Sequence, residues 1–307
     1  MSEVLRWDDL PQETLELGAA PLDLPSTLTC GQAFRWREAP GGWWTGVVGE
    51  AVLRARHDGN VLTYAVYPRL PAPDFWASYL RLDFDLAAMY RELAGVDRHL
   101  DYAFGRWHGL RVLRQDPTET LTTFLCTTAN SIPRITRAIE RMSHRWGKPL
   151  TTIDGVRYSA FPGPEVFTLD MASELERESG LGYRAHNLVS AMQEVSARPQ
   201  GWATALREAP YAEARAELMS IRGIGPKLAD CIALFALDKN EAVPVDTHVR
   251  QIAVELYMPE LRARSLTTNA YNRVADFLRQ KFGSRAGWAQ QYLFYWHLTR
   301  HREPAVL

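Results

Sequence analysis

The sequence predicts an α+β protein: an N-terminal antiparallel twisted sheet followed by a mostly helical body. Two patterns predict it. Between residues 22 and 68, β-rich segments alternate with turns, and Asp58-Gly59-Asn60 between two of them is a hairpin signal. Beyond that stretch, apolar residues recur at helical spacing, and Gly or Pro separates one stripe from the next.

Taken in order, LTCGQAFRWRE leads into the turn PGGW. The segments WTGVVGEAVLRARH and VLTYAVYP then flank the Asp-Gly-Asn turn, and Pro68 to Pro73 closes an antiparallel meander. Helical stripes follow: Ile135, Ile139, Met142 and Trp146; Leu188, Ala191, Met192 and Val195; Val249, Ile252, Ala253 and Leu256; Tyr271, Val274, Leu278 and Phe282. Pro162-Gly163-Pro164 and Gly180-Leu181-Gly182 punctuate them. The expected division is a sheet domain over residues 1–114 and a helical region over 115–307.

The chain has 307 residues, 46% hydrophobic and 23% charged, which is globular composition and excludes disorder. Its longest apolar run, Cys231 to Leu237, is far short of the roughly 18 residues of a membrane helix. The start MSEVLRWDDL is acidic and lacks an apolar core, so no secretory signal is expected. Cys30, Cys126 and Cys231 are too far apart in sequence to suggest a disulfide framework or a Cys-x-x-Cys metal knuckle. A soluble, cytoplasmic protein is expected.

The formal net charge of −1 is unevenly spread. Residues 1–23 carry six acids against Arg6. Residues 127–148 carry five Lys or Arg against Glu140, and residues 262–302 carry eight against Asp276. Such asymmetry either makes a basic face for an anionic partner or decorates solvated helices. Of the 35 basic residues only four are lysines: Lys148, Lys227, Lys239 and Lys281. A primary amine can lose its proton and attack, whereas a guanidinium cannot.

The most informative segment is YAEARAELMSIRGIGPKLADCIALFALDKNEAVPVDTH, residues 211–248. Its first half is amphipathic and stops at Gly223. The turn Gly223-Ile224-Gly225-Pro226 follows, and a second helix starts near Pro226, where proline is tolerated. Two glycines beside a helix N-terminus let backbone N–H groups converge on an anion, most naturally a DNA phosphate; a plain helix–helix corner also needs glycine. Lys227 then falls in the first turn, the unfavourable pole for a cation, and a deprotonated amine is a nucleophile. Nineteen residues on, Asp246 has the look of an N-cap. A capping carboxylate is held rigidly and could also face a developing cation. His248 lies in the same first turn, either reaching an anion or merely exposed.

The hairpin GIGPK followed by VPVD resembles the helix-hairpin-helix DNA glycosylases, and the lysine resembles their bifunctional branch. The blocks CGQAFRWR, GLRVLRQDPTETLTTFLCTTAN, GLGYRA, ADCIALFALDKNEAVPVDTH and GWAQQYLF are similar to those of eukaryotic-type 8-oxoguanine DNA glycosylase/lyases, in the same order, over about residues 28–294. The resemblance implies a two-lobed, all-helical glycosylase body behind the sheet. It also implies base-excision repair: removal of 8-oxoguanine from duplex DNA, with strand nicking by β-elimination. The four-cysteine cluster of endonuclease-III-like relatives is absent, so no iron–sulfur cluster and no required cofactor is implied.

By that resemblance Lys227 attacks C1′ and Asp246 stabilises the sugar. Gly31 offers a carbonyl to N7–H of the lesion, Gln290 bonds the base's Watson–Crick edge, and Phe294 and Cys231 sandwich its faces. On residues alone, Gly31 reads as a turn glycine, and Phe294 and Cys231 as core. His248, with Gly223 and Gly225, would hold phosphate. Arg134 and Arg184 would read the orphaned cytosine, while Tyr183 and Asn130 would fill the vacated stack. Carbonyls of Met219, Ile221 and Ile224 would bind a monovalent cation. Ala129 stands where the family tends to have Asn, which weakens the expectation of a strict preference for cytosine opposite the lesion. His297 stands where an acidic partner for the phosphate-binding histidine is common. The implied partner is duplex DNA with a damaged guanine, met by a monomer, without membrane, in the bacterial cytoplasm or nucleoid. The competing readings are a glycosylase for another oxidised or alkylated purine, or a non-catalytic binder of damaged DNA.

Overall fold

Short turns and well-placed caps build the sheet lobe of this computed structural model, which describes residues 5–127, 131–182, 184–262 and 267–300. Five strands, β1 (Glu13–Glu16), β2 (Trp36–Ala39), β3 (Trp43–Val48), β4 (Ala51–Asp58) and β5 (Val61–Tyr67), form one antiparallel sheet in the order β1-β5-β4-β3-β2. The pairing Asp58↔Val61 closes the expected hairpin on Gly59-Asn60. The segment WTGVVGEAVLRARH, expected as a single strand-like stretch, is two strands. Val48 pairs with Ala51, so the chain reverses at Gly49-Glu50. The start of the β-rich region is also corrected. Leu24–Thr29 is a helix, α1, because Asp23 accepts the Ser26 N–H at 3.0 Å and Pro25 sits in its first turn.

Short helices α2 (Phe75–Tyr79), α3 (Leu86–Leu93) and α4 (Arg98–Arg106) lead out of the sheet. The helical body then runs through α5 (Pro117–Leu125) and α6 (Ile132–Trp146). A hairpin absent from the sequence reading follows, β6 (Pro149–Ile153) with β7 (Val156–Ser159). Next come α7 (Ala172–Ser179), α8 (Arg184–Ser196), α9 (Trp202–Glu208), α10 (Tyr211–Ser220), α11 (Pro226–Ala236), α12 (Thr247–Leu256), α13 (Thr268–Phe282) and α14 (Ala286–Thr299). The helical stripes read from sequence face the interior of α6, α8, α12 and α13, with Trp146 and Leu256 only partly buried.

The sheet packs its own core, including Leu53, Leu62, Trp36 and Trp76, while Phe84 to Val112 contribute mainly to the helical core. Buried polar contacts join the two lobes. Gln32 donates to the Thr27 and Arg111 carbonyls at 2.8 and 2.7 Å and accepts the Leu113 N–H at 2.8 Å. Arg81 and the Trp288 indole both donate to the Asn240 side-chain oxygen, at 2.7 and 2.9 Å. Such buried polar contacts favour one arrangement of the lobes.

Helix α14 meets the end of the hairpin region at Gly287, whose N–H donates to the Asn240 carbonyl at 2.8 Å. A Cβ there would lie 2.5 Å from the Ala242 oxygen and 2.7 Å from the Asn240 oxygen. Gly287→Ala is therefore expected to destabilise the fold by about 1–3 kcal/mol, as overpacking against backbone does, read as a lowered urea midpoint at unchanged slope.

Candidate active site

A cavity of about 1000 Å³ opens where α1, α5, α11, α12 and α14 converge. Its wall includes Lys227, Asp246, His248, Gly31, Gln290, Phe294 and Cys231, together with the hairpin glycines Gly223 and Gly225. Residues spread over more than 260 positions of sequence are thus neighbours.

The hairpin between α10 and α11 has the expected turn. Gly223 adopts φ +85°, which favours glycine, and Gly225 is the extended residue before Pro226 opens α11. Lys227, half-buried, donates to the Thr127 hydroxyl at 3.1 Å, and its Nζ lies 5.2 Å from the centre of the Phe124 ring. Among the described residues no carboxylate pairs with it. Burial pushes the Cys231 thiol up to about 12, with the nearby Lys227 pulling the other way, so this sulfur is a wall and not a nucleophile. Asp246 caps α12, accepting the Val249 N–H at 2.8 Å.

Behind Lys227 lies a group that the sequence reading passed over. Asp230, three residues along α11, is fully buried and accepts from the Tyr211 hydroxyl at 2.6 Å, Arg215 Nε at 3.0 Å and the Tyr271 hydroxyl. Burial pushes its carboxyl above the ordinary range, against the lowering pull of these three donors. Its only local sign was an acid on the apolar side of a helix.

Helix α14 furnishes the opposite wall. Gln290 is buried with its Oε1 unpartnered among the described residues, an acceptor awaiting a donor. Gln291, also missed from sequence, donates to the Cys30 carbonyl at 2.8 Å and so ties the Gly31 loop to the helix. Gly31 has φ +83°, and a Cβ on it would stand 3.3 Å from the Phe294 ring. Phe294 and Cys231 pack against the core and also line the cavity. His248 is half-buried, not merely exposed. It packs edge-on to Phe294 and His297, at 5.7 and 5.4 Å between ring centres, and its Nδ1 has no hydrogen-bond partner among the described residues.

Other expected site residues lie outside this wall. Arg134 is exposed on the first turn of α6, next to cavity-lining Ile132 and Pro133. Arg184 opens α8 and donates to the Leu181 carbonyl at 3.4 Å. Asn130, Tyr183 and Ala129 fall outside the described residues. At the end of α10 the turn draws the Ile224 N–H onto the Ile221 carbonyl at 3.1 Å, leaving that oxygen a second lone pair; Met219 is exposed and Ile224 buried. Among the described residues no cluster of His, Cys, Asp and Glu is set to hold a metal ion, and no helix is long and apolar enough to cross a membrane.

A glycine hairpin, a lysine at its second helix and a capping aspartate on one cavity define a helix-hairpin-helix glycosylase of the lysine-bearing kind. Comparison with known proteins narrows the class. Residues 14–121 match the 8-oxoguanine DNA glycosylase N-terminal domain family. The chain is 37% identical over 290 residues to the N-glycosylase/DNA lyase OGG1 of Arabidopsis thaliana, covering 91% of this chain and 78% of the relative. It is 32% identical to the N-glycosylase/DNA lyase of Saccharomyces cerevisiae, covering 91% and 84%. The 8-oxoguanine glycosylase/lyase of Clostridium acetobutylicum, solved with DNA containing cytosine opposite 8-oxoG, superposes with TM-score 0.81 at 29% identity over 95% of this chain and 98% of that one. The chain belongs to the 8-oxoguanine DNA glycosylase/lyase family.

Capping and charge at residue 246 can be separated. Asp246→Asn is expected to keep the cap and change folding stability by only a few tenths of a kcal/mol, whereas Asp246→Ala costs about 1 kcal/mol, both read by urea unfolding.

Proposed function

We propose that this protein is a bifunctional DNA glycosylase and abasic-site lyase that removes 8-oxoguanine from duplex DNA, with Lys227 as the attacking amine. The observation that carries the assignment is the half-buried Lys227 amine, free of any carboxylate pair among the described residues, on one cavity wall with Asp246.

A base inside a duplex is out of reach, so the nucleotide is turned out into the cavity. The neutral Lys227 amine bonds to C1′ while the C1′–N9 bond breaks and the base leaves with the electron pair. The Asp246 carboxylate faces the positive charge that develops on the sugar. Ring opening gives an imine between Lys227 and C1′. Loss of a C2′ proton then expels the 3′-phosphate, and water releases the lysine. Removal of the base and strand nicking thus share one nitrogen.

Recognition follows from which edges donate. The lesion carries a hydrogen on N7, where guanine has a lone pair. A carbonyl at Gly31 accepts from the first and repels the second, and a buried polar mismatch of this kind discriminates strongly. Gln290 Oε1, unpartnered and buried, suits the N–H donors of the Watson–Crick edge. Phe294 and Cys231 supply the two faces. His248, Gly223 and Gly225 grip the phosphodiester, while Arg134 and Arg184 reach the acceptors of the estranged base. A monovalent cation on the Met219, Ile221 and Ile224 carbonyls would stiffen the hairpin. The chemistry requires no cofactor and no iron–sulfur cluster. The protein acts as a monomer on chromosomal DNA, in the cytoplasm or nucleoid of a bacterial cell.

The test is incubation with duplex carrying 8-oxoguanine opposite each base in turn, with borohydride present. A covalent adduct is expected from the unaltered protein and none from Lys227→Gln; base release without an adduct would refute the lysine's role. Gly31→Ala, strained at positive φ and crowding Phe294, is expected to cut 8-oxoguanine release at least about tenfold. The same variant should still form the adduct on a preformed abasic site, measured on the same gels.

A further inference from the structure

One hydroxyl in this protein touches the backbone just ahead of both Lys227 and Asp246. Tyr271, on α13, is 4% exposed. Its oxygen lies 3.3 Å from the Pro226 carbonyl, the residue before Lys227. It lies 3.4 Å from the Val245 nitrogen, the residue before Asp246, and 3.2 Å from the Val243 carbonyl. A phenol has one proton, and three acceptors surround this one. The buried Asp230 carboxylate, a stronger acceptor than either backbone carbonyl, takes it. The oxygen is then left to accept the Val245 N–H. Asp230 is itself fixed by Tyr211 and Arg215.

We infer that Tyr271 is a positioning residue that joins α11, through Asp230, to the Val243–Val245 segment, setting Lys227 against Asp246. This rests on the assignment of Lys227 and Asp246 made above. The geometry supports a role beyond packing. The ring fills core space that phenylalanine would fill equally well, whereas the hydroxyl, donating to Asp230 on α11 and accepting from Val245, links among the described residues α11 and the segment entering α12. Lys227 and Asp246 lie nineteen residues apart and on different helices, so their spacing is set by whatever joins those backbones. A displacement of about 1 Å between reacting groups can cost orders of magnitude in rate.

Tyr211 provides the control. Its hydroxyl donates to the same carboxylate at 2.6 Å and also receives Arg279 at 3.3 Å, and it bonds to neither Pro226 nor Val245. Both Tyr271→Phe and Tyr211→Phe remove one donor from Asp230, so both lower stability. Only Tyr271→Phe loosens the frame of the two site residues.

The experiment measures borohydride trapping on duplex with a preformed abasic site, at saturating protein and in a single turnover, so that base recognition plays no part. Tyr271→Phe is expected to slow trapping about tenfold, with affinity for that DNA within about twofold of the unaltered protein. Tyr211→Phe is expected to trap at the unaltered rate despite a similar loss in thermal midpoint. Equal slowing in both variants, or slowing in neither, overturns the positioning role. If the unaltered protein forms no adduct while Lys227→Gln behaves identically, the assignment of Lys227 itself fails and the inference falls with it. Adduct formation by the unaltered protein and by Tyr271→Phe at one rate sinks the positioning role alone.

Discussion

A carboxylate with no exposure to water governs the arrangement of α10, α11 and α13. Removing a charge from solvent costs several kcal/mol unless donors replace the lost water. Asp230 draws those donors from two other helices, Tyr211 and Arg215 on α10 and Tyr271 on α13. Losing any one of them leaves the buried carboxylate short of a donor and lowers stability. The requirement of one buried group thereby ties α10 and α13 to the lysine helix, and Tyr271 alone of its donors extends the tie to the approach to α12 at Val245. An apolar residue at 230 would pack as densely but would place no condition on the neighbouring hydroxyls.

The environment of Lys227 works in the opposite sense. An ion pair would tie the amine to a carboxylate and away from a sugar carbon. Here the amine meets a threonine hydroxyl and the face of an aromatic ring, at the positive end of a helix. The hydroxyl accepts a hydrogen bond without bringing a formal charge, and the ring adds a modest attraction. The acid of the proposed chemistry, Asp246, is kept on another helix, where its bond to the Val249 N–H holds it. Capping and catalysis therefore ask the same thing of Asp246: a carboxylate that does not wander.

Local chemistry was legible in the sequence, and long-range partnership was not. The hairpin turn, the lysine after Pro226, the cap at Asp246 and the stripes of α6, α8, α12 and α13 are written in neighbouring residues, and the structure has each of them. Misreadings arose where two local signals competed. Leu24–Thr29 sits among β-rich residues, and the Asp23-Leu-Pro start that makes it helical is a short signal. Gly49-Glu50 reverses the chain inside what reads as a continuous strand. Thr127 reaches Lys227 across 100 positions, and Tyr271 reaches Asp230 across 41. No periodicity records such pairings, because the fold alone brings them within bonding distance.

The same reasoning explains why consecutive glutamines on α14 have different duties. Adjacent helical residues point about 100° apart, so Gln290 and Gln291 cannot share a target. Gln290 lines the cavity with its buried oxygen unpartnered among the described residues, while Gln291 grips the Cys30 carbonyl and pins the loop that presents Gly31. Phe294 follows one turn later on the face that meets Gly31. In the proposed reading a single helix thus carries the base-edge acceptor, the stacking ring and the anchor of the loop that approaches the lesion. The relative placement of all three is set by helix geometry and does not depend on loop conformation. Selectivity between an N–H and a lone pair at one atom demands tenths of an ångström, and a rigid helix can supply that where an independent loop could not.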